Sequence, residues 1–544
     1  MIKTKRNRIG NVVLLTGILT CLICWQSNYL FAQQKVEEET SRSRRTTQTG
    51  NKPVELRAPS VTEHTITVDG ESINYNATVG YMIQTDAESG RGERIWEDAD
   101  NKPISYFFYT AYTKQGEDSV SRPLTFCFNG GPGSSSIYLH MLTIGPQRAV
   151  LLEDGNTPAP PPRMAENVDT WLGFTDLVFI DPIGTGFSFP HPGADTKQFW
   201  GAAADAESVG DFIRMYITEN ARWLSPIFVA GESYGGIRGA LLAEELQENR
   251  RIKLNVNGLI FISPAFDFQS LGTSKHNPTY LSQYFPTYAT TAWHHKKLDD
   301  DLQGDFDKLV KEVTTWASED YLLALVKGDK LDDSRKKEIA GQMARYTGLS
   351  EDFIMEKNLR ITSAEFRAEL LRDKGVSLNR TDARFEDGAY DLTRTLSPLL
   401  NHYVRTVLGY DTIKPYVVSG NVHPWAWGGS RSSWDSSDAI AFSVVPNLSE
   451  AMKNNRNMKV FVAAGYYDYA CPFATIDYAL DQLLLKPELR KNIVRRYYQA
   501  GHMVYTPQFE LSRFTEDVKE FIVNAATPGA HAAPTTASVV RHRD

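Results

Sequence analysis

The spacing of hydrophobic and polar positions changes several times along this chain. From His64 to Met82, apolar and polar residues alternate around an Asp69-Gly70 pair, which predicts a β-hairpin. The aromatic-rich run Ile104–Tyr112 predicts another strand. Short continuous apolar runs follow, as expected of strands buried on both faces of a parallel sheet: Leu124–Phe128, Leu177–Ile180, Ile227–Ala230, Leu259–Ile262 and Val460–Ala463.

Helical patterns lie between several of these strands. Gln198–Ile217 is one, and the residues from Ile237 to Gln247 form another. Alternation of strands and helices after an antiparallel start predicts an α/β fold with a doubly wound, mostly parallel sheet.

The alternation stops between Phe268 and Asn447, where Asp, Lys and Glu are frequent. Long helical patterns such as Leu298–Lys311 and Ser350–Asn358 occur there. We interpret residues 268–447 as a largely helical cap inserted between strands of the sheet. Helices at the periphery with no role in substrate access are the alternative. The core would then comprise residues 59–267 and 448–524, and the tail 525–544, rich in Ala, Thr and Pro, is predicted to be disordered.

The N-terminal residues have the pattern of a targeting segment. An apolar run, Val12–Trp25, follows four basic residues, Lys3, Lys5, Arg6 and Arg8. This run is short and interrupted for a membrane span, so we predict a signal peptide over residues 1–32 and a flexible polar leader over 33–58. The body would be secreted or periplasmic, with no stable membrane association after signal cleavage. Lipid attachment at Cys21 or Cys24 and an uncleaved anchor are the alternatives.

The charge balance narrows the class of partner. The whole chain has 58 basic and 66 acidic residues, net −8, and removal of residues 1–32, with four basic and no acidic residues, makes it −12. An acidic protein is poorly suited to nucleic acids, so no nucleic-acid partner is predicted. Beyond the signal segment only Cys127 and Cys471 remain, too few for a disulfide framework. The sequence leaves the oligomeric state open.

A candidate nucleophile follows the run Ile227–Ala230. The sequence there reads Gly231-Glu232-Ser233-Tyr234-Gly235. Glycines two positions before and after a serine permit a sharp turn from strand to helix that exposes the hydroxyl. The same short pattern occurs by chance in flexible loops, so the function depends on partners elsewhere.

Two later loops contain those partners. Asp468 comes directly after the strand-like run Val460–Gly465, and His502 follows a glycine 34 positions later. Serine, acid and histidine in this chain order are typical of the α/β-hydrolase arrangement. We therefore predict Ser233 as nucleophile, His502 as general base and Asp468 as the group that orients it.

A glycine-rich loop after Leu124–Phe128 completes the constellation. It reads Asn129-Gly130-Gly131-Pro132-Gly133, and no lysine follows it, which excludes a phosphate-binding P-loop. Backbone N–H groups there and at Tyr234 could form an oxyanion hole. The glycine loop Asp181–Ser188 is expected to line the same cleft.

These motifs, in this order, resemble the serine carboxypeptidase family over about residues 100–510. The resemblance is carried by Asn-Gly-Gly-Pro-Gly (129–133), Gly-Thr-Gly-Phe-Ser (184–188), Gly-Glu-Ser-Tyr-Gly-Gly (231–236), Asp468 and Gly-His-Met-Val (501–504). It implies an α/β-hydrolase fold and release of single residues from peptide C-termini by a Ser–Asp–His triad, often at acidic pH. No cofactor and no metal are implied.

The resemblance also implies binding roles. Gly131 and Tyr234 would supply the oxyanion-hole N–H groups. The terminal carboxylate of the substrate would bind to Asn129, Gly130 and Glu232. An ionised Glu232 cannot donate a hydrogen bond, so it must be protonated, and a nearby carboxylate would raise its pKa. Beside His502, Met503 could form a wall of the leaving-residue pocket, although core packing alone would explain it.

The chain departs from the family pattern around the carboxylate site. The glutamate that usually precedes Gly145-Pro146 is missing, since Leu142-Thr143-Ile144 stand there, and Ser134 replaces a loop cysteine. Our first hypothesis is an exported serine carboxypeptidase-like hydrolase acting on peptides with a free C-terminus. The second is an esterase or acyltransferase with the same triad, and the third a non-catalytic binding protein on a hydrolase scaffold.

Overall fold

The computed structural model describes residues 54, 56–86, 102–249, 253–388, 390–428 and 442–527. The elements below belong to the unit Arg57–Asp544. The predicted signal peptide and nearly all of the predicted leader lie outside the described residues, as do residues 528–544. Within the described ranges, no helix has both the length and the apolar character needed to span a bilayer.

A mixed sheet organises the described part of the chain. The strands are β1 Ser60–Val68, β2 Glu71–Thr85, β3 Pro103–Lys114, β4 Leu124–Phe128, β5 Gln147–Ala149, β6 Met164–Glu166, β7 Asp176–Ile180, β8 Phe189–Pro190, β9 Ile227–Glu232, β10 Gly258–Ile262, β11 Lys459–Gly465 and β12 Ile493–Tyr498. The sheet order is β1-β2-β3-β7-β4-β9-β10-β11-β12, with β8 beside β3, and β5 and β6 pair separately. Strands β7, β4 and β9–β12 run parallel, whereas β1–β3 are antiparallel. The predicted α/β class is confirmed.

The strands form where the sequence patterns predict them. Asp69 and Gly70 both have positive φ, 52° and 81°, and close the β1–β2 hairpin. Positive φ at both central residues matches a turn to the right-handed twist of the strands that it joins. Strand β10 is buried along its whole length, as expected of a strand covered on both faces.

Helices cover both faces of this sheet. They are α1 Ile137–Leu139, α2 Ala202–Glu219, α3 Tyr234–Glu248, α4 Pro278–His294, α5 Asp300–Gln303, α6 Phe306–Trp316, α7 Leu322–Lys327, α8 Asp333–Thr347, α9 Glu351–Glu356, α10 Ser363–Glu369, α11 Thr393–His402, α12 Val445–Asn454, α13 Phe473–Asp481, α14 Pro487–Arg490 and α15 Gln508–Ala526. Leu259 and Phe261 of β10 join one hydrophobic cluster with residues of α2 and α3, whereas Ile260 and Ile262 join a second with residues of α15. Alternate side chains of a strand point to opposite faces, so each face has its own core.

Shorter helical segments extend or connect these helices. Three are π-helical, His140–Ile144, Ala317–Tyr321 and Tyr403–Val407, and four are 3₁₀, Trp171–Gly173, Thr196–Gln198, Gly328–Lys330 and Arg372–Lys374.

The segment between β10 and β11 contains α4–α12, and most of its helices enclose a third hydrophobic cluster. The prediction of one continuous helix over Leu298–Lys311 is wrong, because the structure has two helices there, α5 and α6. Gly304 and Asp305 separate α5 from α6, and the Asp305 side chain accepts the N–H of Lys308 as an N-cap. At the other end of the chain, α15 continues to Ala526, so the predicted tail boundary at 525 falls inside a helix.

The parallel strands place four loops at one edge of the sheet. These loops follow β4, β9, β11 and β12, and each starts at the carboxyl end of its strand. Ligands of open α/β sheets bind in the crevice outside that edge. The predicted nucleophile, acid, base and glycine loop therefore meet there.

The turn from β9 into α3 leaves no room for a side chain at Gly231. A Cβ atom there would lie 2.5 Å from the carbonyl oxygen of Gly235 and 2.8 Å from the ring of Phe128. We predict that Gly231→Ala destabilises the protein by about 1–3 kcal/mol, the usual cost of overpacking. A lower unfolding temperature in differential scanning calorimetry is the expected result.

Gly304→Ala is the matched control. Gly304 has right-handed helical backbone angles, and its added Cβ would lie 3.5 Å from the nearest atom, the carbonyl oxygen of Asp300. A compatible Gly-to-Ala change usually stabilises by about 0.4–1 kcal/mol. Equal unfolding temperatures for the two variants would contradict the close approach at Gly231.

Candidate active site

Ser233 occupies a constrained turn between β9 and α3. Its backbone angles are φ 61° and ψ −121°, which non-glycine residues rarely adopt. Hydrogen bonds hold it in place: its N–H donates to the carbonyl of Ile262 at 3.0 Å, and its carbonyl accepts the N–H groups of Gly236 and Ala265, each at 2.9 Å. Such a conformation costs about 1–3 kcal/mol and persists where the surroundings determine it. The turn has the conformation expected of a nucleophile elbow, as the sequence predicts.

Asp468 and His502 form a buried pair beside this turn. Nδ1 of His502 lies 2.7 Å from Oδ2 of Asp468. The other carboxylate oxygen of Asp468 accepts the N–H groups of Ala470 and Cys471, at 2.7 and 3.1 Å. Asp468 is thus fixed from both sides and holds the imidazole with Nδ1 occupied. Nε2 is therefore the ring nitrogen that could act as the predicted general base.

The surroundings shift the pKa of His502 upward. Burial is the largest influence and lowers it, but the charge and hydrogen bond of Asp468, together with the charge of Glu232, outweigh burial. The positive charge of Arg380 acts in the opposite direction to these carboxylates. The result is a stronger base than an isolated imidazole, as a proton acceptor from serine requires.

A cavity of about 520 Å³ unites the predicted site residues. Eight of the nine line it, and Asp468 lies behind His502 with none of its surface exposed. The eight are Asn129, Gly130, Gly131, Glu232, Ser233, Tyr234, His502 and Met503. Cys471 also lines the cavity. Burial raises the pKa of its thiol well above the usual value, although a hydrogen bond with Ser233 acts to lower it. The thiol therefore stays neutral.

The glycine loop is fixed against the elbow by a buried ion pair. Arg238 donates through Nη1 to the carbonyl of Asn129 and through Nε to Oδ2 of Asp205, both at 2.7 Å. The loop approaches so closely that a Cβ atom on Gly130 would lie 2.5 Å from the backbone nitrogen of Tyr234. Gly131, at φ 106°, is in a region that glycine alone enters readily. The glycine loop that contains Gly131 therefore lies against the backbone of Tyr234, the other predicted oxyanion-hole residue.

Glu232 is buried next to Ser233, and protein donors bind both of its oxygens. Asn129 Nδ2 donates to Oε1 at 2.9 Å, and the hydroxyl of Tyr505 donates to Oε2. Burial, the largest influence, raises the pKa of Glu232 above its ordinary value, and the charge of Asp468 adds to this. His502 and the hydrogen bonds from Tyr505 and Asn129 oppose the rise. A raised pKa favours the protonated form that carboxylate binding needs.

Sequence reasoning missed Tyr505. It lies three positions after His502, and its contact with Glu232 joins residues 273 positions apart. No local pattern marks such a pair. The hydroxyl of Tyr505 is the group that meets Oε2 of Glu232, and the stretch Leu142–Ile144 has no glutamate.

The loop Asp181–Ser188 does not line this cavity, contrary to the expectation from its glycines. Asp181 instead binds the segment that follows the glycine loop. Its Oδ1 accepts the backbone N–H of Ser136 at 3.0 Å and the hydroxyl of Tyr416 at 2.9 Å. The buried carboxylate needs these donors, and burial raises its pKa to about 6.

Comparisons with known proteins agree on one family. A family model described as serine carboxypeptidase matches residues 78–539. Serine carboxypeptidase-like 36 of Arabidopsis thaliana is 30% identical over 170 residues, which cover 31% of this chain and only 33% of that protein. Serine carboxypeptidase-like 37 of the same plant is 23% identical over 455 residues, covering 80% and 78%.

One solved structure supports the fold. The crystal structure of Kex1(Δ)p, a prohormone-processing carboxypeptidase of Saccharomyces cerevisiae, matches with a TM-score of 0.50 and 18% identity, covering 82% of this chain and 91% of that one. At this identity the likeness concerns the fold, and it confirms the α/β-hydrolase arrangement of the sheet and helices.

The pKa of His502 offers a direct test of the Asp468 pair. We predict that Asp468→Asn lowers this pKa, because the negative charge that outweighs burial is removed. The measurement is an NMR titration of protein with ¹³C-labelled histidine, in which a His502→Gln spectrum assigns the signal.

Asp391→Asn is the control, since Asp391 also lines the cavity but binds the N–H of Thr393 and the side chain of Arg394 instead of His502. It should move the titration much less than Asp468→Asn. An unchanged or raised pKa in Asp468→Asn would refute the assignment.

Proposed function

The chain belongs to the serine carboxypeptidase family, and from that premise we propose that it is an exported serine-type carboxypeptidase. It would release C-terminal residues from peptides through an acyl-enzyme on Ser233. The observation that carries the proposal is the junction of a strained serine turn with a buried Asp468–His502 pair in one cavity.

The proposed reaction has two steps, acylation of Ser233 and hydrolysis of the acyl-enzyme. Oγ of Ser233 attacks the carbonyl carbon of the terminal peptide bond while Nε2 of His502 takes its proton. N–H groups of Gly131 and Tyr234 stabilise the oxyanion of the tetrahedral intermediate. The proton then passes to the leaving amine, which frees the terminal residue and leaves an ester on Ser233. Water, deprotonated by His502, hydrolyses that ester and restores the hydroxyl.

Recognition of the free C-terminus falls to the other end of the glycine loop. Protonated Glu232 would donate to the terminal carboxylate, and Asn129 and the N–H of Gly130 would complete the site. The raised pKa of Glu232 supports this role. Met503, which lines the cavity beside His502, would contact the released residue.

The organisation of the chain completes the proposal. Residues 1–32 would direct export, 33–58 would be a leader, and 268–447 would act as a cap over the core segments 59–267 and 448–524. Contacts of the cap with the catalytic loops support this role, since the backbone N–H of His502 donates to the carbonyl of Thr381 at 2.6 Å.

An esterase or acyltransferase is the second candidate function, and one observation favours it. Both oxygens of Glu232 are already bound by Asn129 and Tyr505. The family's second glutamate is absent from Leu142–Ile144. A site with weaker carboxylate recognition would accept substrates that have no free C-terminus.

The pH dependence separates the two functions. For a blocked dipeptide with a free carboxylate, we predict a bell-shaped profile of kcat/KM. Activity falls at low pH as His502 gains a proton and at high pH as Glu232 loses one, and both limbs reflect raised pKa values. The C-terminal amide of the same dipeptide should react at least about tenfold more slowly, because Glu232 has no carboxylate to bind. Its profile should have no alkaline limb.

The control is Ser233→Ala, assayed on both substrates. Loss of the nucleophile typically removes about 10⁶-fold of turnover, so residual activity would come from a contaminant. Equal rates for acid and amide over the whole pH range would exclude terminal-carboxylate recognition and support the esterase. Wild-type turnover by Ser233→Ala would exclude the proposed nucleophile for both functions.

A further inference from the structure

Arg380 places a positive charge in the catalytic cavity that the proposed reaction does not use. It lines the cavity together with His502 and Cys471, and its side chain is exposed. Its charge acts to lower the pKa of His502 and of the Cys471 thiol, which line the same cavity. A cation so near a catalytic base weakens that base, so its presence suggests another use.

The other charged groups that line this cavity already have partners. Glu232 accepts from Asn129 and Tyr505. Asp391 lies 3.1 Å from Nε of Arg394 and accepts a backbone N–H. Among the described residues, the guanidinium of Arg380 has no hydrogen bond and no ion pair. Its five N–H donors are therefore available to a ligand in the cavity.

The backbone around Arg380 is fixed relative to the catalytic groups. Its carbonyl accepts the N–H of Tyr469 at 3.1 Å, and the carbonyl of Thr381 accepts the N–H of His502 at 2.6 Å. The side chain of Asn379 accepts the N–H groups of Thr381 and Asp382, at 2.8 and 3.1 Å. One short segment is thus bonded to the loops of both Asp468 and His502. A donor on such a segment binds with less loss of conformational entropy.

We propose that Arg380 binds a carboxylate of the substrate and selects substrates that have one in this position. The inference rests on the proposed function, because it concerns the same cavity. A guanidinium is planar and always charged, and it forms paired hydrogen bonds with a carboxylate. Among the groups of an unmodified peptide, the carboxylate is the one that carries the negative charge an unpaired guanidinium binds.

The surroundings of Arg380 favour an acidic side chain over the terminal carboxylate. Glu232 is bonded to Asn129 of the glycine loop and to Tyr505. The carbonyl of Arg380, by contrast, accepts the N–H of Tyr469, the residue after Asp468, so the two side chains belong to different loops of the cavity lining. Glu232 would therefore read the terminal carboxylate, while Arg380 reads a Glu or Asp side chain next to the scissile bond.

The test compares substrate pairs in wild type and Arg380→Gln. One pair has Glu or Gln as the residue that acylates Ser233, a second has Glu or Gln as the released residue, and a third is a neutral dipeptide as free acid or amide. We expect Arg380→Gln to lower the Glu-to-Gln ratio of kcat/KM about tenfold for one of the first two pairs. Arg380→Lys should keep part of the preference because it keeps the charge.

Arg372→Gln is the control for net charge. Arg372 belongs to the same insertion, but its side chain is 76% exposed and pairs with Glu369 at 3.6 Å. It should leave all three ratios unchanged. Thermal unfolding of each variant separates misfolding from a change in selectivity.

Each outcome decides the inference. A loss confined to one Glu/Gln pair supports it and identifies the position of the acidic side chain. A loss confined to the acid/amide pair would overturn it, because Arg380 would then bind the terminal carboxylate instead of an acidic side chain. Equal changes for all substrates, or none, would overturn it.

The same pairs made as ethyl esters keep the two proposals separate. If the wild type cleaves the esters but no peptide, the carboxypeptidase proposal fails. The effect of Arg380→Gln on the Glu-to-Gln ratio can still be measured with the esters of the first pair, whose Glu or Gln residue acylates Ser233. If it cleaves peptides and Arg380→Gln changes no ratio, only the Arg380 inference fails.

Discussion

The backbone of Ser233 is the constraint on which the site depends. At φ 61° and ψ −121° the residue lies outside the regions that side-chain-bearing residues prefer, so the conformation must be held by neighbours. Strand β9, which ends directly before Ser233, is fixed between β4 and β10, and α3 starts directly after Ser233. The buried Arg238–Asp205 pair then ties α3 and α2 to the glycine loop. The proposed nucleophile and the proposed oxyanion-hole N–H groups are thereby positioned by one rigid junction.

The insertion supports the other half of the site. Thr290 of α4 donates to the carbonyl of Tyr466 at 2.8 Å, and the hydroxyl of Tyr469 donates to Oγ1 of Thr291 at 3.0 Å. Asp382 accepts the N–H of Gly501 at 3.2 Å. The loops that contain Asp468 and His502 are therefore hydrogen-bonded to residues of the segment 268–447. A change in that segment would alter the orientation of His502.

Local patterns were sufficient for the strands of the five apolar runs and for placing the predicted triad residues after strands of one sheet. Each apolar run became a strand because burial on both faces requires continuous apolar sequence, and the triad residues follow strands whose ends meet at one edge. Arg380 and Tyr505 could not be found in this way. Arg380 lies in a charged stretch where it resembles any solvated residue, and Tyr505 matters only through a partner far away in the sequence.

Two predictions differ from the structure, the position of the loop Asp181–Ser188 and the continuous helix Leu298–Lys311, and both differences arise from tertiary contacts. The glycines of the loop Asp181–Ser188 predict a tight turn but not its direction, which is set by the donors that buried Asp181 needs. The break at Gly304 depends on whether Asp305 caps a new helix or continues the old one. Tertiary contacts determine both the direction of this loop and the break in the helix, and the periodicity of the sequence contains no information on such contacts.

The central claim is that acyl transfer proceeds through Oγ of Ser233, and trapping the intermediate tests it most directly. An N-blocked amino-acid ester would be mixed with the protein, quenched in acid within milliseconds and analysed by mass spectrometry after digestion. We expect the mass of the peptide that contains Ser233 to increase by the mass of the acyl group. An acyl group on Cys471 instead, or steady hydrolysis with no adduct on Ser233 under any quench condition that preserves esters, would contradict it.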